Sequence, residues 1–179
     1  RRDGAGSSTP PAQAAAESAA DGLAAIVRGS KRSASEVLSL GGLQTLAGIL
    51  GQAQTPAKLR VAAIRVLDLC ATTEGACMKE VTRLGVPALL VALLRSASRA
   101  VAAAAEEALA ALSQRGGEPT RRAVAEAMKT GGGLPLLTEL LDDADSGVSS
   151  ASRAALLIDG VAMQSAEARA TLVELGAVP

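Results

Sequence analysis

The 179-residue sequence contains no phenylalanine, tyrosine, tryptophan, histidine or asparagine. Without histidine, the chain lacks the side chain that most often acts as a general base near neutral pH and most often binds metals. Without aromatic rings, it has no surface on which the bases of single-stranded nucleic acid could stack. We therefore expect neither an enzyme nor a nucleic-acid-binding protein.

Charge and cysteine content limit the kinds of partner, metal site and compartment that we expect. The 18 basic and 18 acidic residues cancel, so no net field favours a nucleic acid or an anionic membrane. Cys70 and Cys77 lie seven residues apart, which fits neither a CxxC redox pair nor the spacing of zinc ligands, and we expect no metal and no cofactor. Two free thiols are typical of a reducing compartment, so we expect a cytoplasmic protein. Charged residues interrupt every leucine-rich stretch, which predicts no insertion into a membrane.

A short glycine-containing phrase recurs along the chain and precedes leucine-rich stretches. With Gly41, Gly85, Gly132 and Gly176 as reference positions, the spacings are 44, 47 and 44 residues. Self-similarity at this period predicts stacked helical units. The copies read Leu40-Gly41-Gly42-Leu43, Leu84-Gly85-Val86-Pro87, Gly132-Gly133-Leu134-Pro135 and Leu175-Gly176-Ala177-Val178-Pro179.

The repeats divide the chain into a linker and a helical array. Residues 1–11 are rich in Gly, Ser and Pro, which predicts a flexible linker. The remainder, 12–179, is interpreted as repeats. Its parts are a partial unit at 12–32, units at about 33–73, 74–117 and 118–164, and a truncated unit at 165–179. Because the last unit lacks two of its helices, we expect more chain to follow in the full protein.

Each unit is predicted to hold three helices, with no segment showing the alternation of a strand. Leu46, Leu90 and Leu137 stand five residues after the glycine in the second helices, on a stripe of period 3.6. In the third helices we superpose three sets: Leu59, Val101 and Val148; Val66, Ala108 and Ala155; and Leu67, Leu109 and Leu156. The fold class is therefore predicted to be all-α.

The stretch Gly85-Val86-Pro87-Ala88-Leu89-Leu90, followed by Glu106-Glu107-Ala108-Leu109-Ala110-Ala111-Leu112-Ser113, resembles armadillo repeats. The resemblance covers about 33–179. The Gly-x-x-Pro hallmark is kept at Gly132 and Gly176, shifted at Gly85, and lost at Gly41, where Gln44 replaces the proline. HEAT repeats are the nearest structural alternative.

The resemblance implies a right-handed α-solenoid of three-helix repeats whose third helices line a concave groove for an extended peptide or partner domain. Helix register places Arg65, Asp68, Thr72, Glu107 and Gln114 in this groove. Nuclear-import members of the family carry a tryptophan and, four residues later, an asparagine on the third helix. None of the positions that we match to this pair keeps it, so we expect no binding of nuclear localisation signals in that manner. The matched pairs of positions are Asp68 and Thr72, Ala110 and Gln114, and Leu157 and Val161.

We expect a non-catalytic scaffold for protein–protein interaction, within a larger chain or complex. Two more specific roles are also compatible with the resemblance. One is the substrate-recruiting armadillo region of a U-box ubiquitin ligase, and the other is a nucleotide exchange cofactor of Hsp70. Algal or ciliary armadillo scaffolds are a further possibility.

Several groups of residues could form a catalytic or ligand-binding site, but a structural role fits each of them better. The pairs Glu106-Glu107 and Asp142-Asp143 are interpreted as solvated faces or helix ends, since adjacent carboxylates on a helix point in different directions. Gly131-Gly132-Gly133 is followed by Leu-Pro instead of the Lys-Ser or Lys-Thr of a phosphate-binding loop. Cys70 and the three methionines are expected in the core. The methionines are Met78, Met128 and Met163.

Overall fold

The computed structural model describes residues 11–28, 30–142 and 148–177, which form eleven α-helices and no strand. The first six are α1 (Pro11–Val27), α2 (Lys31–Ser39), α3 (Gly42–Gly51), α4 (Ala57–Thr73), α5 (Gly75–Arg83) and α6 (Val86–Leu93). The others are α7 (Arg99–Arg115), α8 (Glu118–Thr130), α9 (Gly133–Asp142), α10 (Val148–Gln164) and α11 (Ala166–Glu174).

The expected linker at residues 1–11 falls almost entirely outside the described residues. Its last residue, Pro11, opens helix α1 instead of ending the linker. Proline is well tolerated there, because the amide hydrogen that it lacks would have no partner in the first turn of a helix.

The helices follow one another in the order short, short, long. Helices α4, α7 and α10 each contain 17 residues, and each is preceded by two shorter helices. Helix α1 has the same length and packs on α4 as α4 packs on α7. The long helices α1, α4, α7 and α10 therefore form one continuous layer. The all-α solenoid expected from the sequence is confirmed.

A glycine joins the first helix of each unit to the second. Gly41, Gly85, Gly132 and Gly176 all have positive φ, between 66° and 77°. They are the only residues with positive φ in the described part of the chain. This left-handed conformation is costly for residues with a Cβ and nearly free for glycine. The recurring phrase therefore marks a conformational requirement that is repeated in every unit.

We expect Gly85→Ala to lower the free energy of unfolding by about 1–2 kcal/mol, which is the cost of the left-handed conformation for alanine. No neighbouring atom lies within 4 Å of a Cβ at this position, so the loss reports backbone strain alone. Chemical denaturation of the purified chain measures it. Gly85→Asn should lose less, because asparagine tolerates this conformation.

Gly48→Ala is a control for which we expect a change in stability of the opposite sign. It lies within α3, also with no atom within 4 Å of a Cβ, and should gain up to about 1 kcal/mol from helix propensity. Equal effects of Gly85→Ala and Gly48→Ala would contradict the assignment of Gly85 as a turn residue.

The core is aliphatic and lies between the layers of helices. Leu46, Leu90 and Leu137 are 6%, 1% and 0% exposed, as the stripe of the second helices predicted. Cys70 is fully buried in the last turn of α4, which confirms its reading as a small core residue. Because neighbouring units share these contacts, no unit buries its apolar faces alone.

In the third unit, the register predicted from the glycines is wrong by two positions. Val148 begins α10 sixteen residues after Gly132, whereas Arg99 begins α7 fourteen residues after Gly85. The two intervals differ because α6 has 8 residues and α9 has 10. Counting from the glycines as if the intervals were equal shifts the third unit by two positions. The paired residues Leu109 and Leu156 show the error, because Leu109 is 0% and Leu156 is 46% exposed.

When positions are counted from the first residue of each long helix, corresponding side chains are buried to a similar extent. Leu67, Leu109 and Ile158 then correspond, and all three are buried. The positions in α10 that correspond to Asp68 and Thr72 are Asp159 and Met163. The side chains first matched there, those of Leu157 and Val161, are instead 0% and 1% exposed in the core. The side chain of Val148 lies outside the described part.

Candidate functional site

The exposed side of the layer α1, α4, α7 and α10 is called here the third-helix surface. Its helices pack in chain order, each against the next. Shallow recesses lie between neighbouring helices of this layer. Three of them contain residues predicted for the groove, and the recess at Glu17, Lys58 and Ser98 shares Arg65 with the recess at Asp68.

The first recess, the Asp68 recess, lies between α1, α4 and α7 and has a volume of about 330 Å³. Its polar side chains are Arg28, Arg65, Asp68 and Glu107, and aliphatic residues such as Ile64 form the rest of its wall. The fold thus brings together three residues that are distant in the chain and were predicted for the groove, namely Arg65, Asp68 and Glu107. Arg28 was missed, because the partial first unit offered no repeat to align.

Asp68 is in an unfavourable environment for a carboxylate. Its Oδ1 is buried and has no hydrogen-bond partner. Burial raises the pKa of Asp68 from 3.8 to about 6, the positive charge of Arg115 opposes this, and the negative charge of Glu107 adds to it. Among the described residues no donor reaches this enclosed oxygen, so ionisation of Asp68 is disfavoured in the folded chain.

Thr72 and Gln114 do not line the Asp68 recess. The Thr72 hydroxyl donates a hydrogen bond to the backbone oxygen of Asp68 at 2.8 Å, within the same helix. Gln114 lies further along α7 and borders a second recess. The five predicted residues are therefore divided between a cluster of three, one residue bonded to its own helix, and one residue in the neighbouring recess.

The second recess, the Met163 recess, lies between the ends of α7 and α10 and has a volume of about 290 Å³. Gln114, Leu156, Asp159 and Met163 line it. Met163 is 74% exposed, so its prediction as a core residue is wrong. The expectation rested on residue type alone, whereas α10 turns this position toward the third-helix surface.

Glu106 is a second residue that the sequence misplaced. It is 3% exposed, not on a solvated face. The Ser150 hydroxyl lies 3.0 and 2.9 Å from its two carboxylate oxygens, and Arg153 Nε lies 3.4 Å from Oε1. This group joins α7 to α10. The signal in the sequence was the position of Glu106 three residues before Leu109, on the same helical face.

The other candidate groups have structural roles where they are described. Gly131 and Gly132 form the turn between α8 and α9, as predicted, and Gly133 begins α9. Cys70 and Cys77 are free and buried, and burial raises the pKa of Cys70 to about 12, with a further contribution from Cys77. Such a thiol is a poor nucleophile. Asp143 lies outside the described residues.

Across residues 11–28, 30–142 and 148–177, no group of three or more His, Cys, Asp or Glu side chains is placed to hold a metal ion. Within the same ranges, no helix has the length and hydropathy required to cross a bilayer.

Comparison with known proteins gives structural matches only. No family model matches the sequence, and no curated protein matches it. An engineered protein from a structural genomics programme shares 26% identity at a TM-score of 0.76, over 94% of this chain and 64% of its own. A designed armadillo repeat protein in complex with the peptide (KR)4 shares 26% identity at a TM-score of 0.75, over 94% of this chain and 67% of its own.

A third match is a set of computationally designed armadillo repeat proteins for modular peptide recognition. It shares 25% identity at a TM-score of 0.76, over 95% of this chain and 68% of its own. The chain spans about two thirds of the length of these structures. Its fold is that of an armadillo-like repeat protein, as the glycine-centred repeats predicted.

Proposed function

We propose that this chain is a non-catalytic scaffold that binds an extended segment of a partner protein along its third-helix surface. The observation that carries the proposal is the Asp68 recess of about 330 Å³, which is open and combines the charged side chains of Arg28, Arg65, Asp68 and Glu107 with an aliphatic wall. A recess that joins apolar walls to a few charged groups, one of them with a raised pKa, favours a role in binding. Two of the similar designed proteins are described as binding or recognising peptides, which supports the same conclusion.

The roles in a ubiquitin ligase and in nucleotide exchange on Hsp70 are secondary proposals. Recruitment of substrates to a ubiquitin ligase would require a U-box domain elsewhere in the parent protein, and action on Hsp70 would require faster nucleotide release in a direct assay. No contact or recess among the described residues favours either role over a general peptide scaffold.

The test is a selection of peptides from a random display library on the purified chain, followed by affinity measurements with two charge-reversed variants. Glu107→Lys alters the third-helix surface, and Glu139→Lys alters an exposed site on the second helix α9. We expect Glu107→Lys to weaken selected peptides about tenfold, as for the loss and reversal of a partly desolvated charge contact. Glu139→Lys should leave their affinity unchanged.

The opposite result would locate binding elsewhere. If the α9 variant lost affinity while Glu107→Lys retained it, the third-helix surface would not be the binding surface. Far-ultraviolet circular dichroism of both variants provides the check on folding.

A further inference from the structure

The contact between the long helices α7 and α10 is more polar than the contact between α4 and α7. When positions are counted from the first residue of each helix, Glu106 of α7 corresponds to Ile64 of α4, and Ser113 corresponds to Ala71. All four side chains are buried. A carboxylate and a hydroxyl of α7 therefore take the places that two apolar side chains occupy in α4.

The facing side of α10 is also more polar, or smaller, than the corresponding side of α7. Three positions show the difference, with Ser150 in place of Val101, Arg153 in place of Ala104, and Gly160 in place of Ala111. The contact made by Glu106, Ser113, Ser150, Arg153 and Gly160 is called here the α7–α10 joint. Burial of apolar area between neighbours stabilises a solenoid, and this joint has less of it than the contact between α4 and α7.

Two opposite charges lie within the joint. The Glu106 carboxylate is hydrogen-bonded to Ser150 and lies 3.4 Å from Arg153 Nε. Removal of both charges from water costs free energy, which their attraction offsets only in part. When the helices separate, the charges regain their hydration, whereas apolar side chains such as Ile64 gain nothing from contact with water. The charges therefore lower the free energy that is needed to open the joint.

A recess of about 170 Å³ borders these charges. Glu106, Ser150 and Arg153 line it together with Leu94 and Leu140. The Arg153 side chain is 26% exposed, so one edge of the group already meets solvent. Water reaches the remaining charge after a small separation of the helices, which favours opening at this place.

Gly160 weakens α10 at the other half of the joint. A Cβ at this position would overlap the Ser113 hydroxyl of α7, so the close approach of the two helices requires glycine. Glycine in the interior of a helix is less favourable than alanine, because it has more conformational freedom to lose. The residue that lets α7 and α10 meet therefore also makes α10 easier to unfold.

We propose that the α7–α10 joint is the place at which this solenoid opens first. Helices α8–α11 separate there from α1–α7 and unfold as one group, while the contact between α4 and α7 stays closed. The Met163 recess has walls from both α7 and α10, so opening of the joint removes one of its walls and changes the third-helix surface. The inference concerns this chain alone and does not depend on the proposed function.

Native-state hydrogen exchange of the purified chain, resolved by mass spectrometry of peptides, locates the opening. The amide hydrogens of α10 should exchange about tenfold or more faster than those of α4, since partial opening exposes a group of helices without global unfolding. Equal protection of α4 and α10 would overturn the inference. Because the last unit of any solenoid has a neighbour on one side only, variants of the joint are needed to show the cause.

A triple variant gives the joint the residues that the contact between α4 and α7 has. It combines Glu106→Ile, Ser150→Val and Arg153→Ala. Exchange of the α10 amides should slow about tenfold or more, because apolar contacts replace buried charges. This side of the test asks whether the charges are the reason that the joint opens.

A single variant should have the opposite effect. Arg153→Ala removes the cation beside Glu106 and leaves the carboxylate buried, so exchange of the α10 amides should become about tenfold or more faster. Arg122→Ala is the matched control, because Arg122 forms an ion pair with Glu118 on the exposed surface of α8. It should change the rate less than about twofold, as for other surface ion pairs.

The change of sign between the single and the triple variant is the decisive result. If both variants accelerated exchange of α10, the charges would hold the joint closed and the inference would fail. If neither changed the rate, the opening would lie elsewhere and the inference would also fail. Circular dichroism checks that each variant is folded. If the triple variant does not fold, the comparison of α4 with α10 in the unaltered chain decides the question, since it requires no substitution.

Discussion

Gly116→Ala is expected to lower the free energy of unfolding by about 2–3 kcal/mol, as for an over-packed site whose backbone must move. Gly116 connects α7 to α8 with a φ of −68° and a ψ of 147°, a conformation that alanine adopts without strain. The cost comes from the lack of space. A Cβ there would overlap the backbone oxygen of Leu112 and lie 2.7 Å from Thr120 Cβ.

The surroundings of Gly116 give little room for relaxation. Its own N–H donates to the Leu112 oxygen at 2.9 Å, so that oxygen cannot move without loss of a hydrogen bond. Thr120 is 4% exposed and its hydroxyl lies 2.9 Å from that of Thr82 in the preceding unit. Displacement of Thr120 would therefore disturb the contact between α5 and α8 as well.

The adjacent glycine provides a matched control. A Cβ on Gly117 would meet only Pro119 Cδ, at 3.8 Å, which is an ordinary contact. Gly117→Ala should change stability by less than about 0.5 kcal/mol, since the gain in chain entropy opposes a small loss at the helix N-cap. Urea denaturation of both variants measures the difference. If the two alanine variants were equally stable, the tight packing of this turn would be contradicted.

Asp68→Asn is expected to raise the free energy of unfolding by about 2 kcal/mol near pH 7. The pKa of Asp68 is about 6 in the folded chain, against 3.8 for an ordinary aspartate. Such a difference corresponds to about 3 kcal/mol, and we expect less because the carboxyl retains partial contact with solvent. Removal of the buried charge should therefore stabilise the protein.

The pH dependence has a definite sign. Because the folded state raises the pKa of Asp68, it binds a proton that the unfolded state releases between about pH 4 and pH 6. The contribution of Asp68 to stability is thus most favourable below about pH 4 and is lost as the pH rises through about 6. The gain from Asp68→Asn should be largest above pH 6 and disappear near pH 4.

Asp159→Asn is the control for this prediction, because Asp159 occupies the corresponding position of α10 and is exposed. As an exposed residue, it should leave the stability near pH 7 unchanged. An Asp68→Asn variant that is less stable than the parent at pH 7 would show that the carboxylate is satisfied in solution. Greater stability with weaker binding of the library-selected peptides would show that Asp68 is kept for binding at the expense of stability.

Much of the fold was predictable because a local requirement repeats. The left-handed turns at Gly41 and Gly85 need glycine whatever surrounds them, and the stripe through Leu46 and Leu90 needs a shared core. Both signals survive in the sequence at a fixed period. Parts of the candidate site were predictable for the same reason, since the register of α4 and α7 identified Asp68 and Glu107 as neighbours on one surface.

The rest depended on a helix length and on tertiary packing. Helix α6 has 8 residues and α9 has 10, so counting from the glycines misplaces α10 by two positions. In the structure Met163 is exposed and Val161 is buried. Glu106 and Glu107 are adjacent and chemically identical, yet one is buried against Ser150 and the other borders an open recess. No local pattern distinguishes such cases, because a neighbouring unit decides which helical face is covered.

The sequence by itself determined the all-α class, the repeat period, the glycine turns and the absence of histidine and aromatic chemistry. These follow from residue type and spacing alone. The tertiary structure decided which carboxylates are buried, which apolar residues are exposed, and that Arg28, Asp68 and Glu107 share one recess. The physical reason is that burial, and with it the pKa of Asp68, depends on helices from three different units, which come together only when the solenoid is assembled.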